Sequence, residues 1–404
     1  MKSFFTLVLS AILTLNISCL SLFQNISSFY LNTSMVDELS SEVDLGITSK
    51  SAILIEAETG RVLYEKNSDE RLKPASVTKV MTLLLIYDAI KSGAITLEDT
   101  VIISEHAASM GGSQCFFEAG EEQKVMDMLK CIEVSSGNDA AVAMGEHLAG
   151  SEPEFVKQMN EKAYELGMEN TNFVNACGLD DENHYTSARD IGIMSRELIT
   201  KHPEIFEIST IWMDYITHKT SKGESRFDLA NTNKFLRQYT GANGLKTGYT
   251  SEAGYCISAT ATRDDITLIA VIMGAETKEI RNSEAGKLLD YGFSKCKIYT
   301  DSQVVDNSYK IKIMDGVMEY TYPLEIKEHK ISMLDGNIDD IKKEICVYDD
   351  LKAPIRQGDE IGVVKYSING EVIEEIKMYS AIDIAKKSYR LSIRDLCNYF
   401  FVVE

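Results

Sequence analysis

The sequence lacks the spacings that build metal centres. Its eight cysteines, at 19, 115, 131, 177, 256, 296, 346 and 397, include no C-x-x-C pair and no zinc spacing. Its six histidines form no H-E-x-x-H or comparable ligand pattern, so neither a metal nor any other cofactor is expected. Positive charge is also scarce. Lys and Arg number 41 against 62 Asp and Glu, a net charge of -21. That balance excludes a general nucleic-acid binder, which needs a basic face. The N-terminal apolar run, Phe4 to Leu15, is too short for a membrane-spanning helix.

With Lys2 ahead of it, that run instead predicts a secretory signal over residues 1–24, removed on export. Cys19 follows Asn16-Ile17-Ser18, a poor match to a lipoprotein signal. Scattered cysteines in an exported chain point to a reducing or anaerobic habitat.

At 404 residues the chain has room for two or three domains. Residues 25–45 are polar and Ser-rich, a flexible lead-in. Ser51–Glu56 and Arg61–Tyr64 read as two strands about a turn, and Val77–Ile90 as a buried helix with Pro74 near its start. Helical patterning runs through 122–149, 153–167 and from Tyr185 to about 201. Ala253–Thr262 and Ile266–Gly274 read as strands joined by Arg263-Asp264-Asp265, and Glu279–Lys295 as a closing helix. Residues 46–298 thus predict a mixed α/β catalytic domain with an antiparallel sheet and helices. Residues 299–378 carry short alternating segments and predict a small all-β domain. In 379–404, Ile382, Ala385, Tyr389, Ile393, Leu396, Phe400 and Val403 recur at spacings of three and four, with Lys386, Lys387, Arg390 and Arg394 on the other side. This is the pattern of a basic amphipathic helix lying on a membrane surface.

Three short motifs stand in order: Ser76-Val77-Thr78-Lys79, Ser136-Gly137-Asn138 and Lys246-Thr247-Gly248. Singly they are weak. A second S-x-x-K spans Ser294 to Lys297, and a second S-x-N spans Ser367 to Asn369. The chemistry of the first set is coherent. A serine hydroxyl needs a neighbouring base, and residues three apart share a helix face, which puts Lys79 beside Ser76. A lysine buried among apolar groups and other cations loses proton affinity and can serve as that base. Ser136 can relay a proton to a leaving amine and Asn138 can hold a substrate amide. Gly248 admits a close substrate backbone, and Lys246 and Thr247 can receive a carboxylate.

The ordered set resembles the S-x-x-K, S-D-N and K-T-G of penicillin-binding proteins and class A β-lactamases. Pro74–Thr82, Ser136–Ala143, Tyr185–Asp190 and Gly244–Tyr255 extend the match, and residues 45 to 404 resemble D-alanyl-D-alanine carboxypeptidases, the low-molecular-mass penicillin-binding proteins. Ile211–Asp214 and Asn231–Lys234 resemble the sporulation-associated branch of Gram-positive bacteria. The resemblance implies a serine peptidase on the outer face of the cytoplasmic membrane, held there by its C-terminal helix. It implies that Ser76 attacks the bond between the terminal D-alanines of a peptidoglycan stem peptide, with Lys79, Ser136 and Asn138 as catalytic partners. Lys246, Thr247, Gly248, Tyr249 and Arg281 would bind substrate, the N–H groups of Ser76 and Tyr249 forming the oxyanion hole. β-Lactams would acylate Ser76. The family commonly has His or Thr ahead of the segment reading here Asn175-Ala176-Cys177-Gly178-Leu179. A D,D-endopeptidase, a transpeptidase, a serine β-lactamase and a catalytically idle wall-binding homologue stay open on the residues. Against the β-lactamase, the chain lacks the Glu-x-x-Leu-Asn stretch of the class A enzymes and carries an extra β domain.

Overall fold

The computed structural model describes residues 44–220, 223–334, 338–389 and 393. The predicted 1–24 signal and nearly all of the 25–45 lead-in lie outside them. The first strands are β1 (Ser51–Glu56) and β2 (Val62–Lys66). A 3-10 turn, Ala75–Thr78, leads straight into α1 (Lys79–Ser92), which stops where Gly93 adopts φ +77° and donates its N–H to the Ala89 and Ile90 carbonyls. A small ribbon of β3 (Thr100–Ile102) and β4 (Glu122–Lys124) brackets α2 (Glu105–Ala108). Then come α3 (Val125–Glu133), α4 (Asn138–Ala149), α5 (Glu152–Glu165), α6 (Ala188–Lys201) and α7 (Ile205–Ser209). A hairpin of β5 (Met213–Thr220) and β6 (Gly223–Ala230), which the sequence reading missed, precedes β7 (Ala242–Thr250), β8 (Gly254–Arg263), β9 (Ile266–Ala275) and α8 (Lys278–Lys295). Within the helical patterning over 122–149, Glu122–Lys124 is strand, and the Gly-bearing Ser136 loop separates α3 from α4 at 134–137, where Ser136 takes φ +61°.

β1, β2, β7, β8 and β9 form one antiparallel sheet in the order β2-β1-β9-β8-β7, with β7 at an edge. The two-residue period of a strand sorts its side chains onto opposite helices. On β1, Ile53 and Ile55 point to α6, where Gly192 lets the helix approach; a Cβ there would lie 2.4 Å from Ile55 Cδ1. Leu54 points to α8, where Gly292 does the same. All three side chains are buried, each worth roughly 2 kcal/mol. α1, α3, α4, α5 and α6 complete the larger core on the Ile53 side.

β10 (Cys296–Asp301) follows α8 without a break and leads into the C-terminal β domain. That domain holds β11 (Ile311–Lys312), β12 (Tyr320–Thr321), β13 (His329–Leu334), β14 (Lys342–Val347), β15 (Glu360–Ile368) and β16 (Glu371–Tyr379), around a core that includes Val304, Ile311, Val364 and Tyr366.

The helix expected over 379–404 does not begin there. Tyr379 ends β16, and the next residues run extended, Ser380 bridging Pro323, Ile384 bridging Ile355 and Lys386 bridging Gly316. The reason is burial: Ile384 is 1% exposed in the β-domain core, and the Ser380 hydroxyl lies 2.6 Å from Thr321 Oγ1. Tyr389 and Ile393 are helical, and the rest of the predicted anchor lies outside the described residues. Among the described residues no helix is long and apolar enough to cross a membrane.

Candidate active site

Ser76 sits on the 3-10 turn ahead of α1, and close approach from two sides shapes that turn. Ala75 is held at φ +49°, a strained value for a residue with a Cβ. Gly248 of β7 packs on it: a Cβ there would lie 2.9 Å from both the Pro74 carbonyl oxygen and Ser76 N. From the other side Gly178 presses so close that its Cβ would lie 1.9 Å from the Ala75 carbonyl oxygen. Its φ of +87° also calls for glycine.

Lys79 is 0% exposed. Its Nζ lies 3.0 Å from Ser76 Oγ, 2.6 Å from Asn138 Oδ1 and 2.9 Å from the Cys177 carbonyl oxygen. The Asn138 amide is oriented by its Nδ2, which donates to the Gly111 carbonyl at 2.7 Å, so Oδ1 is the atom turned to Lys79. Two of the three neighbours therefore only accept. A neutral amine has two N–H bonds and one lone pair. In that form the two acceptors take the hydrogens and the lone pair faces the Ser76 hydroxyl, whereas the ammonium donates to all three neighbours. Burial first, and the nearby Lys246 charge with it, push Lys79 down to about 7, which brings the neutral form within reach at neutral pH.

The Ser136 loop is gripped by a strap over 111–117. Asn138 N donates to the Ser113 carbonyl at 2.7 Å. The buried Asp139 carboxylate accepts from the main-chain N–H groups of Cys115 at 2.9 Å and Phe116 at 2.8 Å, and from Ala140 N at 2.9 Å. Fixed from both ends, Ser136 keeps its positive φ and is buried beside the site.

Lys246 is 1% exposed, and burial lowers its proton affinity, as does the charge of Arg281; Glu133 opposes both. Glu133 is itself buried, which raises its carboxyl above the usual range, and its Oε2 has no hydrogen-bond partner among the described residues. Arg281, from the first turns of α8, is buried against the Cys256 carbonyl, and burial lowers it to about 10. Ser76, Ser136, Thr247, Gly248, Tyr249 and Arg281 line one cavity of about 800 Å³, open along the β7 edge.

Of the nine residues singled out in the sequence, six line this cavity, Lys79 and Asn138 reach it through Ser76, and Lys246 is buried beside Lys79 and Arg281. The decoys fall elsewhere: Ser294 ends α8 with its hydroxyl on the Tyr291 carbonyl, and Asn369 turns the β15–β16 hairpin at φ +52°. The Tyr185–Asp190 segment supplies no group to the cavity. Ser187 caps α6, Asp190 accepts from Asn170 N and the Thr171 hydroxyl, and Arg189 pairs with Asp69. The sequence reading missed Asp139, Gly178 and Asn175, whose Oδ1 accepts from Gly178 N at 2.7 Å and Leu179 N at 3.1 Å. The Cys-Gly-Leu stretch was the available signal for Gly178.

A serine on the turn that opens a helix, against a buried lysine of lowered proton affinity and beside a sheet edge and two further buried cationic side chains, defines a serine acyl-transfer enzyme of the three-motif type. Residues 38–277 match the family described as D-alanyl-D-alanine carboxypeptidase, and residues 293–386 match the penicillin-binding protein 5 C-terminal domain. The chain belongs to the D-alanyl-D-alanine carboxypeptidase family. It is 45% identical to D-alanyl-D-alanine carboxypeptidase DacF of Bacillus subtilis over 86% of this chain and 88% of that protein. It is 30% identical to DacA of Escherichia coli K12 over 88% of each. Penicillin-binding protein 5 of Haemophilus influenzae superposes with a TM-score of 0.75, at 32% identity, over 84% of this chain and 98% of that one.

Proposed function

We propose that the chain is a serine-type D-Ala-D-Ala carboxypeptidase that trims the terminal D-alanine from peptidoglycan stem peptides through an acyl-enzyme at Ser76. The three contacts of Lys79 Nζ carry this reading, because they hold a buried amine 3.0 Å from the Ser76 hydroxyl with two acceptors for its hydrogens, so that on losing its proton it presents its lone pair to Ser76. Lys79 takes the hydroxyl proton as Ser76 Oγ attacks the carbonyl carbon between the two D-alanines. The main-chain N–H groups of Ser76 and Tyr249, brought together by the packing of Gly248, stabilise the oxyanion. Lys246, Thr247 and Arg281 hold the terminal carboxylate. The proton passes by way of Ser136 to the leaving amine, D-alanine departs, and water releases the trimmed peptide. β-Lactams acylate the same oxygen.

Export through the 1–24 segment, and attachment to the outer membrane face by the basic amphipathic C-terminus, complete the proposal. Both rest on the sequence pattern. The test is D-alanine release from diacetyl-Lys-D-Ala-D-Ala, with and without penicillin. Release that penicillin blocks, and that Ser76→Ala abolishes, supports the reading. Rapid penicillin turnover without D-alanine release would replace it with a β-lactamase. Neither activity in a folded protein would favour an idle wall-binding homologue.

A further inference from the structure

His184 supplies no atom to the cavity, yet it is tied to the turn that carries the nucleophile. Its ring is 2% exposed, and both nitrogens are engaged. Nδ1 lies 3.0 Å from Val174 N, and Nε2 lies 2.8 Å from Thr78 Oγ1. A main-chain N–H only donates, so Nδ1 must accept, and the proton of the neutral ring sits on Nε2, donated to Thr78. Thr78 stands between Ser76 and Lys79. It makes no side-chain cap to α1, and its hydroxyl faces Gly178, where a Cβ would lie 2.8 Å away.

The ring therefore bridges two segments that must stay in register. One is the Ser76 turn. The other is 173–179, which gives the Cys177 carbonyl to Lys79, gives the Ala176 carbonyl to Thr82 at 2.6 Å, and wedges Gly178 against Ala75. Phe173 packs edge-on to the imidazole, with ring centres 5.7 Å apart, and closes its remaining side.

We propose that His184 is a positioning residue for acylation. In its neutral Nε2–H form it sets the Ser76–Lys79 turn against the Cys177 carbonyl, so that the Lys79 lone pair meets the serine hydroxyl. Burial holds the imidazole down to about 4; Asp181 opposes this and Lys73 adds to it. The ring is thus neutral throughout the range in which Lys79 titrates.

The inference rests on Ser76 as nucleophile for its kinetic consequence, but the ring's state is measurable without any activity. In the full chain labelled with ¹⁵N-histidine, the His184 signals, identified by their loss in His184→Gln, should report the Nε2–H tautomer unchanged from pH 5 to 8. An Nδ1–H tautomer, or titration near the ordinary 6.5, overturns the proposal. Acylation by a fluorescent penicillin supplies the second arm. His184→Phe and Thr78→Val should each slow the acylation step about ten- to hundred-fold, with pre-covalent affinity unchanged within about twofold. The double variant should be no slower than the slower single variant, and multiplied losses would refute a shared bridge. His184→Gln, which restores a donor toward Thr78, should recover part of the rate; should His184→Phe not fold, His184→Gln replaces it in the cycle and must still be non-additive with Thr78→Val. A wild-type chain that shows the tautomer but is never acylated would fault the assignment of Ser76 and leave the bridge standing.

Discussion

Lys79 offers the most direct test of the site's electrostatics. Moving its ammonium from 10.5 to about 7 corresponds to about 5 kcal/mol, at 1.36 kcal/mol per pH unit. The side chain is fully buried, so solvent screening does not dilute that figure much. The sign follows from proton counting. Between about 7 and 10.5 the unfolded lysine is protonated and the folded one is neutral. The unfolded state then binds one more proton, and stability rises with pH through this window. Below about 7 both are protonated and the penalty is at its full, constant value. Lys79→Met removes the group at nearly constant length. The difference in unfolding free energy, wild type minus Lys79→Met, measured by urea titration, should therefore climb by roughly 1.4 kcal/mol per pH unit from pH 7 to 10 and be flat from 5.5 to 6.5. Acylation of the wild type by penicillin should fall about tenfold per pH unit below 7, because only the neutral amine accepts the serine proton. A flat stability difference across pH 7 to 10, or full acylation persisting at pH 5, would refute a neutral Lys79 as the base.

Gly178→Ala should cost about 3 kcal/mol or more and slow acylation, because its Cβ meets the Ala75 carbonyl at 1.9 Å. Gly167→Ala, also at positive φ but with nothing within 4 Å, should cost only about 1 kcal/mol by thermal unfolding; equal costs would remove the packing argument. Asp139→Asn sets an amide where the 115–117 main-chain N–H groups need an acceptor. It should lower stability by about 3 kcal/mol and open residues 111–117 to limited proteolysis, and an unchanged cleavage pattern would count against the strap. Deleting 390–404 should release the protein from membrane vesicles with activity intact. Deleting from 380 should also destabilise the β domain, because Ile384 and Ser380 belong to its core; equal melting of the two truncations would contradict that packing.

Much of this protein was written locally. The spacing of three in Ser76–Lys79 is that of two side chains on one face of a helical turn. The Asp264-Asp265 turn and the largely apolar segments on either side of it specify the β8–β9 hairpin, and both aspartates adopt the positive φ such a tight connection needs. The order of the motifs was enough to indicate one site. Other features had no local signature. Whether Ser380–Lys386 becomes helix or extended edge depends on the hydrophobic slot that accepts Ile384, and a spacing of three and four along the chain carries no information about that slot. The segment 173–179 reads as a loop, and only packing turns Gly178 into a wedge and the Cys177 carbonyl into a partner of Lys79. Above all, the sequence supplies a lysine, while the fold supplies its burial, its two acceptors and the neighbouring Lys246 charge. Those lie 59, 98 and 167 residues away in the chain, and it is their convergence around a fully buried side chain that turns an ordinary ammonium into a base.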